Sequence, residues 1–106
     1  MKSPEEIIRI ATETIRNEAF AIKSLLNNVN DDFVKCVELI HNSEGRVVVT
    51  GIGKSANIAT KIVATLNSTG TPSVFIHAAD AIHGDLGAIR KEDIIICLSK
   101  SGNTPE

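Results

Sequence analysis

Two polar segments, each directly after an apolar run, carry the residue types that bind a phosphate group. The first is 51–55 (GIGKS), which follows the valines at 47–49. The second is 99–104 (SKSGNT), which follows the apolar run 94–98. Glycines leave backbone N–H groups open to an anion, and serine and threonine add hydroxyl donors. Together the two segments predict a cradle for one phosphate, held mainly by neutral donors.

The first segment shares parts of two nucleotide-binding loops. A P-loop needs G-x-x-x-x-G-K-[ST], and Val48 stands where its first glycine would be. A dinucleotide fingerprint G-x-G-x-x-A fits Gly51, Gly53 and Ala56. That fingerprint also needs an acid at the end of the second strand, and 75–77 (FIH) supplies none. ATP, GTP and NAD are therefore disfavoured as ligands.

The third interpretation is a strand-to-helix turn whose N–H groups face an anion. Ser55 would add a hydroxyl donor and Lys54 a positive charge, whereas the plain alternative is a βα turn with a solvated lysine. Ser99, Ser101 and Thr104 then follow the third strand in the same way. Ligands of open α/β sheets bind beyond the carboxyl ends of the strands, so both segments are expected at one edge.

Two amphipathic helices are predicted ahead of these segments. Ser3, Pro4 and Glu6 form a helix start in which Ser3 caps and Glu6 stands three residues later, as in a capping box. Apolar residues recur at helical spacing to about Leu26, and a second helix is predicted over about 32–41.

Strands and helices alternate from residue 46 onward. Strands are predicted over 47–49, 73–77 and 94–98, with a helix over about 56–67 and a helical turn over 78–82. This alternation predicts βαβ units and a parallel sheet, and hence an α/β fold. Apolar runs without polar alternation predict strands buried on both faces.

The length of 106 residues suits one small domain, with two helices in 1–44 and a βαβαβ core in 45–106. Because three strands make a narrow sheet and a helix is predicted to begin near the last residue, we expect the front part of a longer domain. The net charge is −2 and no basic run exists, which argues against nucleic acid as a partner.

The sequence predicts a cytoplasmic protein with no membrane partner. It begins without a signal peptide, and no apolar run approaches the ~20 residues of a spanning helix. Cys36 and Cys97 are interpreted as buried thiols in a reducing compartment rather than as a disulfide. His77, His83 and Asp85 lack a recognised metal-ligand spacing, so no metal site is predicted, and His77 is interpreted as structural.

These motifs resemble those of sugar isomerase (SIS) domains. The segment 99–106 (SKSGNTPE) is similar to the phosphate loop of that family. More specifically, 68–72 (STGTP) and 83–87 (HGDLG) resemble the arabinose-5-phosphate isomerases of the Kdo and capsule pathways. The resemblance covers about 47–106. It implies a parallel-sheet SIS-type sandwich, flavodoxin-like or Rossmann-like, with N-terminal helices.

The resemblance implies interconversion of D-ribulose 5-phosphate and D-arabinose 5-phosphate, for synthesis of Kdo in lipopolysaccharide or capsule. It implies no required cofactor and a homotetramer or homodimer, and we expect the N-terminal helices to form its interface. The family continues beyond this chain, supplies a further glutamate and histidine there, and often appends a CBS-domain pair. The implied phosphate- and substrate-binding residues are Gly51, Gly53, Ser55, Ser99, Ser101 and Thr104, and the implied catalytic residues are Lys54, His83 and Glu106.

Aldose–ketose isomerisation moves a proton between C1 and C2 through an enediol. Glu106 and the family's further glutamate suit the base equally, and Glu106 alternatively only favours a helix N-terminus. Lys54 would stabilise the enediolate or steer the phosphate, and His83 would shuttle a proton or open the sugar ring. Two alternatives remain: another phosphosugar, or a non-catalytic SIS sensor, although the first 44 residues contain no basic recognition helix.

Overall fold

A computed structural model describes residues 1–103 and Pro105, and the chain divides after Val37 into two compact units. The first unit is helical. Helix α1 spans Pro4–Ser24, so it ends slightly before the predicted end at about Leu26. The chain continues as a 3-10 turn at Leu25–Asn28. The predicted cap is confirmed, because Ser3 Oγ accepts a hydrogen bond from the N–H of Glu6 at 3.2 Å. No residue of α1 is buried.

Helix α2 spans Asp31–Asn42 and begins in the first unit. Asn30 caps it, since its side-chain oxygen accepts from the N–H groups of Asp32 and Phe33 at 3.1 and 3.2 Å. No residue of α2 is buried, and Cys36 is exposed on it.

The second unit contains a three-stranded parallel sheet. Strands β1 (Val47–Gly51), β2 (Ser73–His77) and β3 (Ile94–Cys97) are arranged in the order β2-β1-β3. Helix α3 (Lys54–Ser68) connects β1 to β2, and the short helix α4 (Ala78–Ile82) follows β2. The predicted α/β fold with parallel strands is confirmed, because βαβ connections carry the chain back across the sheet each time.

One face of the sheet packs against α3. Val47, Val49 and Ala59 form the buried centre of this core, each no more than 1% exposed. Half-buried apolar side chains surround them: Ile40, Ile62, Val63, Leu66, Phe75, Ile96 and Leu98. The apolar face of α3 therefore packs against the β-branched strand β1.

The other face of the sheet is only partly covered. Val48 is buried, but Ile95 is 48% exposed and Cys97 is exposed beside it. An apolar cavity of about 200 Å³ lies on this face, lined in part by Ala78 and Ala81 of α4. Burial on both faces is thus confirmed for β1 and wrong for β3, because β3 is an edge strand of the described sheet. The prediction of buried cysteines is wrong at both positions: Cys97 is exposed for the same reason, and Cys36 is exposed on α2, which has no buried residue. Both thiols are free, as expected.

An ion pair joins the residues that precede β1 and β3. Arg46 Nη2 lies 2.8 Å from Asp93 Oδ2, and the backbone N–H of Arg46 donates to Asp93 Oδ1 at 2.9 Å. The N–H of Arg90 donates to Asp93 Oδ2 at 2.7 Å. The Asp93 side chain is fully covered. Hydrogen bonds from the Arg46 guanidinium, and then from the N–H of Arg90, hold the pKa of the Asp93 carboxyl well below its usual range.

We predict that Asp93→Asn lowers the thermal unfolding midpoint at neutral pH, whereas Glu92→Gln, at the exposed neighbouring carboxylate, leaves it unchanged. A depressed pKa stabilises the folded state above the unfolded-state pKa of about 4, and this stabilisation is lost as the pH falls further. The difference in midpoint between wild type and Asp93→Asn should therefore persist down to about pH 4 and shrink below it. Circular dichroism melts over a pH series measure this, and equal midpoints at pH 7 would contradict it.

Candidate functional site

The strand order brings the two glycine-containing segments side by side. Strand β1 is central and β3 is its neighbour, with Thr50 in register with Cys97. The pairing extends one residue further, because the N–H of Leu98 donates to the Thr50 carbonyl at 2.9 Å. Parallel strands end at the same edge, so the chain leaves β1 and β3 at adjacent points.

An open cleft of about 310 Å³ lies between these two segments. It is lined by Lys54, Ser55, Ile58, Leu98, Ser99 and Lys100. Three of the predicted site residues therefore share one cleft: Lys54, Ser55 and Ser99. Lys100 was not selected from the sequence, although it stands inside the S-K-S-G segment, where a cation next to hydroxyl groups was a usable signal.

Two glycines shape the first segment. A Cβ on Gly51 would lie 3.0 Å from the backbone carbon of Ser55 and 3.1 Å from its Cβ, so Gly51 permits the first turn of α3 to approach β1. Gly53 has φ +61°, a conformation that favours glycine, and stands at the N-cap position. With this geometry α3 begins at Lys54, two residues earlier than predicted, and Lys54 and Ser55 lie in its first turn.

The start of α3 has the electrostatic character of an anion site. The first N–H groups of an α-helix lack intrahelical partners and carry partial positive charge. The N-cap residue, Gly53, has no side chain with which to cap this end, and no acidic residue lies in the first turn. Ser55 is half-buried and Lys54 is exposed beside it.

The second segment is a compact polar turn. Ser99 Oγ accepts from the N–H of Gly102 at 2.9 Å, and Ser101 Oγ accepts from the N–H of Asn103 at 3.1 Å. Ser101 is exposed and is not among the described residues that line the cleft. The remaining predicted residues of this segment, Thr104 and Glu106, lie outside the described residues.

The two histidines near β2 differ in their surroundings. His77 ends β2 in register with Gly51, and its Nδ1 accepts from the N–H of Ala79 at 3.1 Å, which caps α4. The Phe75 ring meets it edge to face at 6.2 Å between centroids. His83 lies exposed at the end of α4, where its N–H donates to the Asp80 carbonyl, and it is not among the described residues lining the cleft.

Within residues 1–103 and Pro105, no group of three or more histidine, cysteine, aspartate or glutamate side chains is placed so that it could hold a metal ion. The same part of the chain contains no helix both long and apolar enough to cross a membrane.

The fold and the cleft define a parallel α/β domain with a polar cleft at the carboxyl edge of its sheet. The sequence model of the SIS domain matches residues 39–106, and the chain belongs to this family. Whether the helices of 1–44 and the core of 45–106 form one domain stays a prediction.

Named proteins of known sequence and structure are similar to the chain. It is 52% identical to arabinose 5-phosphate isomerase KdsD of Pseudomonas aeruginosa, over 95% of the chain and 31% of the relative. It is 44% identical to arabinose 5-phosphate isomerase GutQ of Escherichia coli K12, over 96% of the chain and 32% of the relative. A solved structure of an Escherichia coli CFT073 protein in complex with arabinose 5-phosphate superposes with a TM-score of 0.90 at 37% identity, over 97% of this chain and 55% of that one. The chain thus spans about a third of the length of these curated relatives.

We predict that Gly51→Ala and Gly53→Ala both destabilise the protein, by different mechanisms. Alanine at 51 would push against the backbone of Ser55, whereas alanine at 53 meets no atom within 4 Å but must adopt a positive φ. The strain at 53 should cost roughly 1–3 kcal/mol.

Gly87→Ala is the matched control. A Cβ on Gly87 would meet no atom within 4 Å, and the φ of Gly87 is not positive. Urea unfolding measures the free energies. Gly51→Ala should also weaken binding of inorganic phosphate, since it displaces Ser55. A Gly51→Ala protein as stable as Gly87→Ala would contradict the close-approach argument.

Proposed function

We propose that this chain is part of an aldose–ketose isomerase that interconverts D-ribulose 5-phosphate and D-arabinose 5-phosphate. The observation that carries the proposal is the shared cleft of Lys54, Ser55 and Ser99 at the carboxyl edge of the sheet. The names of the two curated relatives and the sugar-phosphate complex of the structural neighbour support the choice of substrate. The product would supply Kdo for lipopolysaccharide or capsule.

The cleft would bind the phosphate group of the substrate, which does not react. Ser55 and the first N–H groups of α3 would donate to phosphate oxygens from one side, with Gly51 and Gly53 allowing the approach. Ser99, Ser101 and Thr104 would donate from the second segment. Binding energy from this remote group can position C1 and C2 for reaction. Since such a substrate is charged and crosses bilayers poorly, we propose the cytoplasm as its compartment.

The chemical step needs a base, a group that stabilises negative charge and a proton shuttle. A carboxylate removes the proton from C2 of the aldose, and the electron pair forms the C1–C2 double bond of an enediolate. The proton then returns to C1, while a proton moves from the C2 hydroxyl to the C1 oxygen. Glu106 is our candidate base among this chain's residues, and Lys54 would stabilise the enediolate oxygen.

His83 is our candidate for the proton transfer between the two oxygens, or for opening the furanose ring. Its exposure at the end of α4 leaves the imidazole accessible. An imidazole suits this role because its protonation changes near neutral pH.

We predict that a chimera in which this chain replaces the matching 101-residue segment of the Pseudomonas relative converts D-arabinose 5-phosphate to D-ribulose 5-phosphate. Lys54→Gln should lower its kcat by about 100-fold, the loss typical of removing one transition-state donor. NMR of the sugar anomers follows the reaction. Lys91→Gln, at an exposed lysine before β3, is the control and should leave turnover unchanged.

A folded chimera without turnover would refute the proposed reaction, and phosphosugar binding without turnover would favour a sensor. Full activity of Lys54→Gln would remove Lys54 from the chemistry. The same assay with other pentose and hexose phosphates tests the sugar specificity.

We further propose that α1 forms a homotetramer or homodimer interface. Ile8, Ile15 and Ile22 recur at seven-residue spacing on this helix and are 66–68% exposed. Such spacing is typical of a helix that packs along a partner helix. A 21-residue helix without any buried residue has most of its apolar area still to bury.

We predict that the chain self-associates in light scattering and that Ile15→Lys shifts it toward the monomer. Asn17→Lys, about 200° around the helix from Ile15, is the control and should leave the assembly intact. A wild-type monomer at micromolar concentration would contradict the interface.

A further inference from the structure

Two lysines from different segments line the one cleft. Lys54 comes from the start of α3 and Lys100 from the turn after β3, and both are exposed. The ion pairs found among residues 1–103 and Pro105 are Arg9–Glu13 and Arg46–Asp93, so neither cleft lysine is paired with a carboxylate there. The described lining contains no acidic residue.

The cleft therefore concentrates positive charge on a chain whose net charge is −2. The two ammonium groups act in the same direction as the N-terminal dipole of α3. The apolar side chains of Ile58 and Leu98 line the same cleft. A group with two negative charges gains about twice the Coulomb attraction of a group with one, so this arrangement favours a dianion.

We propose that Lys100 is the phosphate-binding cation of this cleft, and that the phosphate ester binds as a dianion against Lys100 and the start of α3, while Lys54 faces the sugar. This inference rests on the proposed function, because it assigns the cleft to the phosphate of the substrate. A phosphate monoester carries close to two negative charges at neutral pH, since its second pKa is about 6. Lys100 acts on the bound phosphate alone, so it sets substrate affinity and not the rate of proton transfer.

Binding to the 106-residue chain tests Lys100 separately from catalysis. The probes are inorganic phosphate, D-arabinose 5-phosphate and unphosphorylated D-arabinose, followed by NMR chemical shifts of the cleft amides. Lys100→Gln removes the charge and keeps the length of the side chain. We expect it to weaken binding of both phosphate compounds by about three- to tenfold, the range for one charge-assisted contact near the surface. The affinity of Lys100→Gln for both phosphate compounds should also depend less steeply on salt concentration than that of the wild type.

Two variants make the result specific. Lys100→Arg keeps the charge and should restore binding to near the wild-type value. Lys91→Gln removes an exposed lysine before β3, at the opposite edge of the sheet, and should change neither affinity nor salt dependence. In the isomerase chimera, Lys100→Gln should raise KM by a similar factor with kcat unchanged, in contrast to Lys54→Gln.

The outcomes separate this inference from the proposed reaction. Wild-type affinity for inorganic phosphate in Lys100→Gln overturns the role of Lys100, whether or not the chimera isomerises sugars. Phosphate binding that depends on Lys100, in a folded chimera without turnover, overturns the reaction and supports the inference. Equal binding of D-arabinose with and without its phosphate, or no binding of either phosphate compound by the wild type, overturns the inference.

Discussion

The in-register pairing of β1 with both of its neighbours is the constraint on which the rest of this structure depends. Val47, Val48 and Val49 are at most 1% exposed, so the strand is held from both faces and both edges. A slip of one residue would turn each of these side chains to the opposite face. It would also move Gly51 away from the first turn of α3, where a Cβ would lie only 3.0–3.1 Å from atoms of Ser55. The placement of the cleft thus follows from the packing of a strand that does not line it.

The amino and carboxyl ends of the parallel strands form two opposite edges of the sheet, and these two edges serve different purposes. At the amino edge, Arg46 and Asp93 neutralise one another through several hydrogen bonds, which closes the start of β1 against the start of β3. At the carboxyl edge, Lys54 and Lys100 have no acidic partner among the described residues, and the N-cap residue of α3 is a glycine. Satisfied charge supports the fold at one edge, while uncompensated charge at the other edge is available to an anion.

Much of the fold was predictable because its signals are local. The Ser3 cap, the helical periodicity of α1 and the alternation of strands with helices depend on neighbours a few residues away. The exposure of one face of β3 was not predictable in this way, since the sequence of an apolar strand looks the same whether the strand lies at the edge or in the centre of a sheet. Cys97 was misjudged for that reason. The early start of α3 was not predictable because it depends on the positive φ of Gly53, and glycine adopts positive and negative φ about equally readily.

The sequence by itself determined the chemistry available: which residues are glycines, hydroxyls and lysines, and that each polar segment follows a strand. Spacing within a segment is a property of a few bonded residues, so it is readable without the fold. Only the tertiary structure decided that Ser55 and Ser99, separated by more than forty positions, line the same cleft. It also decided that Lys100 joins them. The physical reason is that the order β2-β1-β3 is set by how the strands pair and bury their faces, and no local pattern in the chain specifies which strand becomes the neighbour of another.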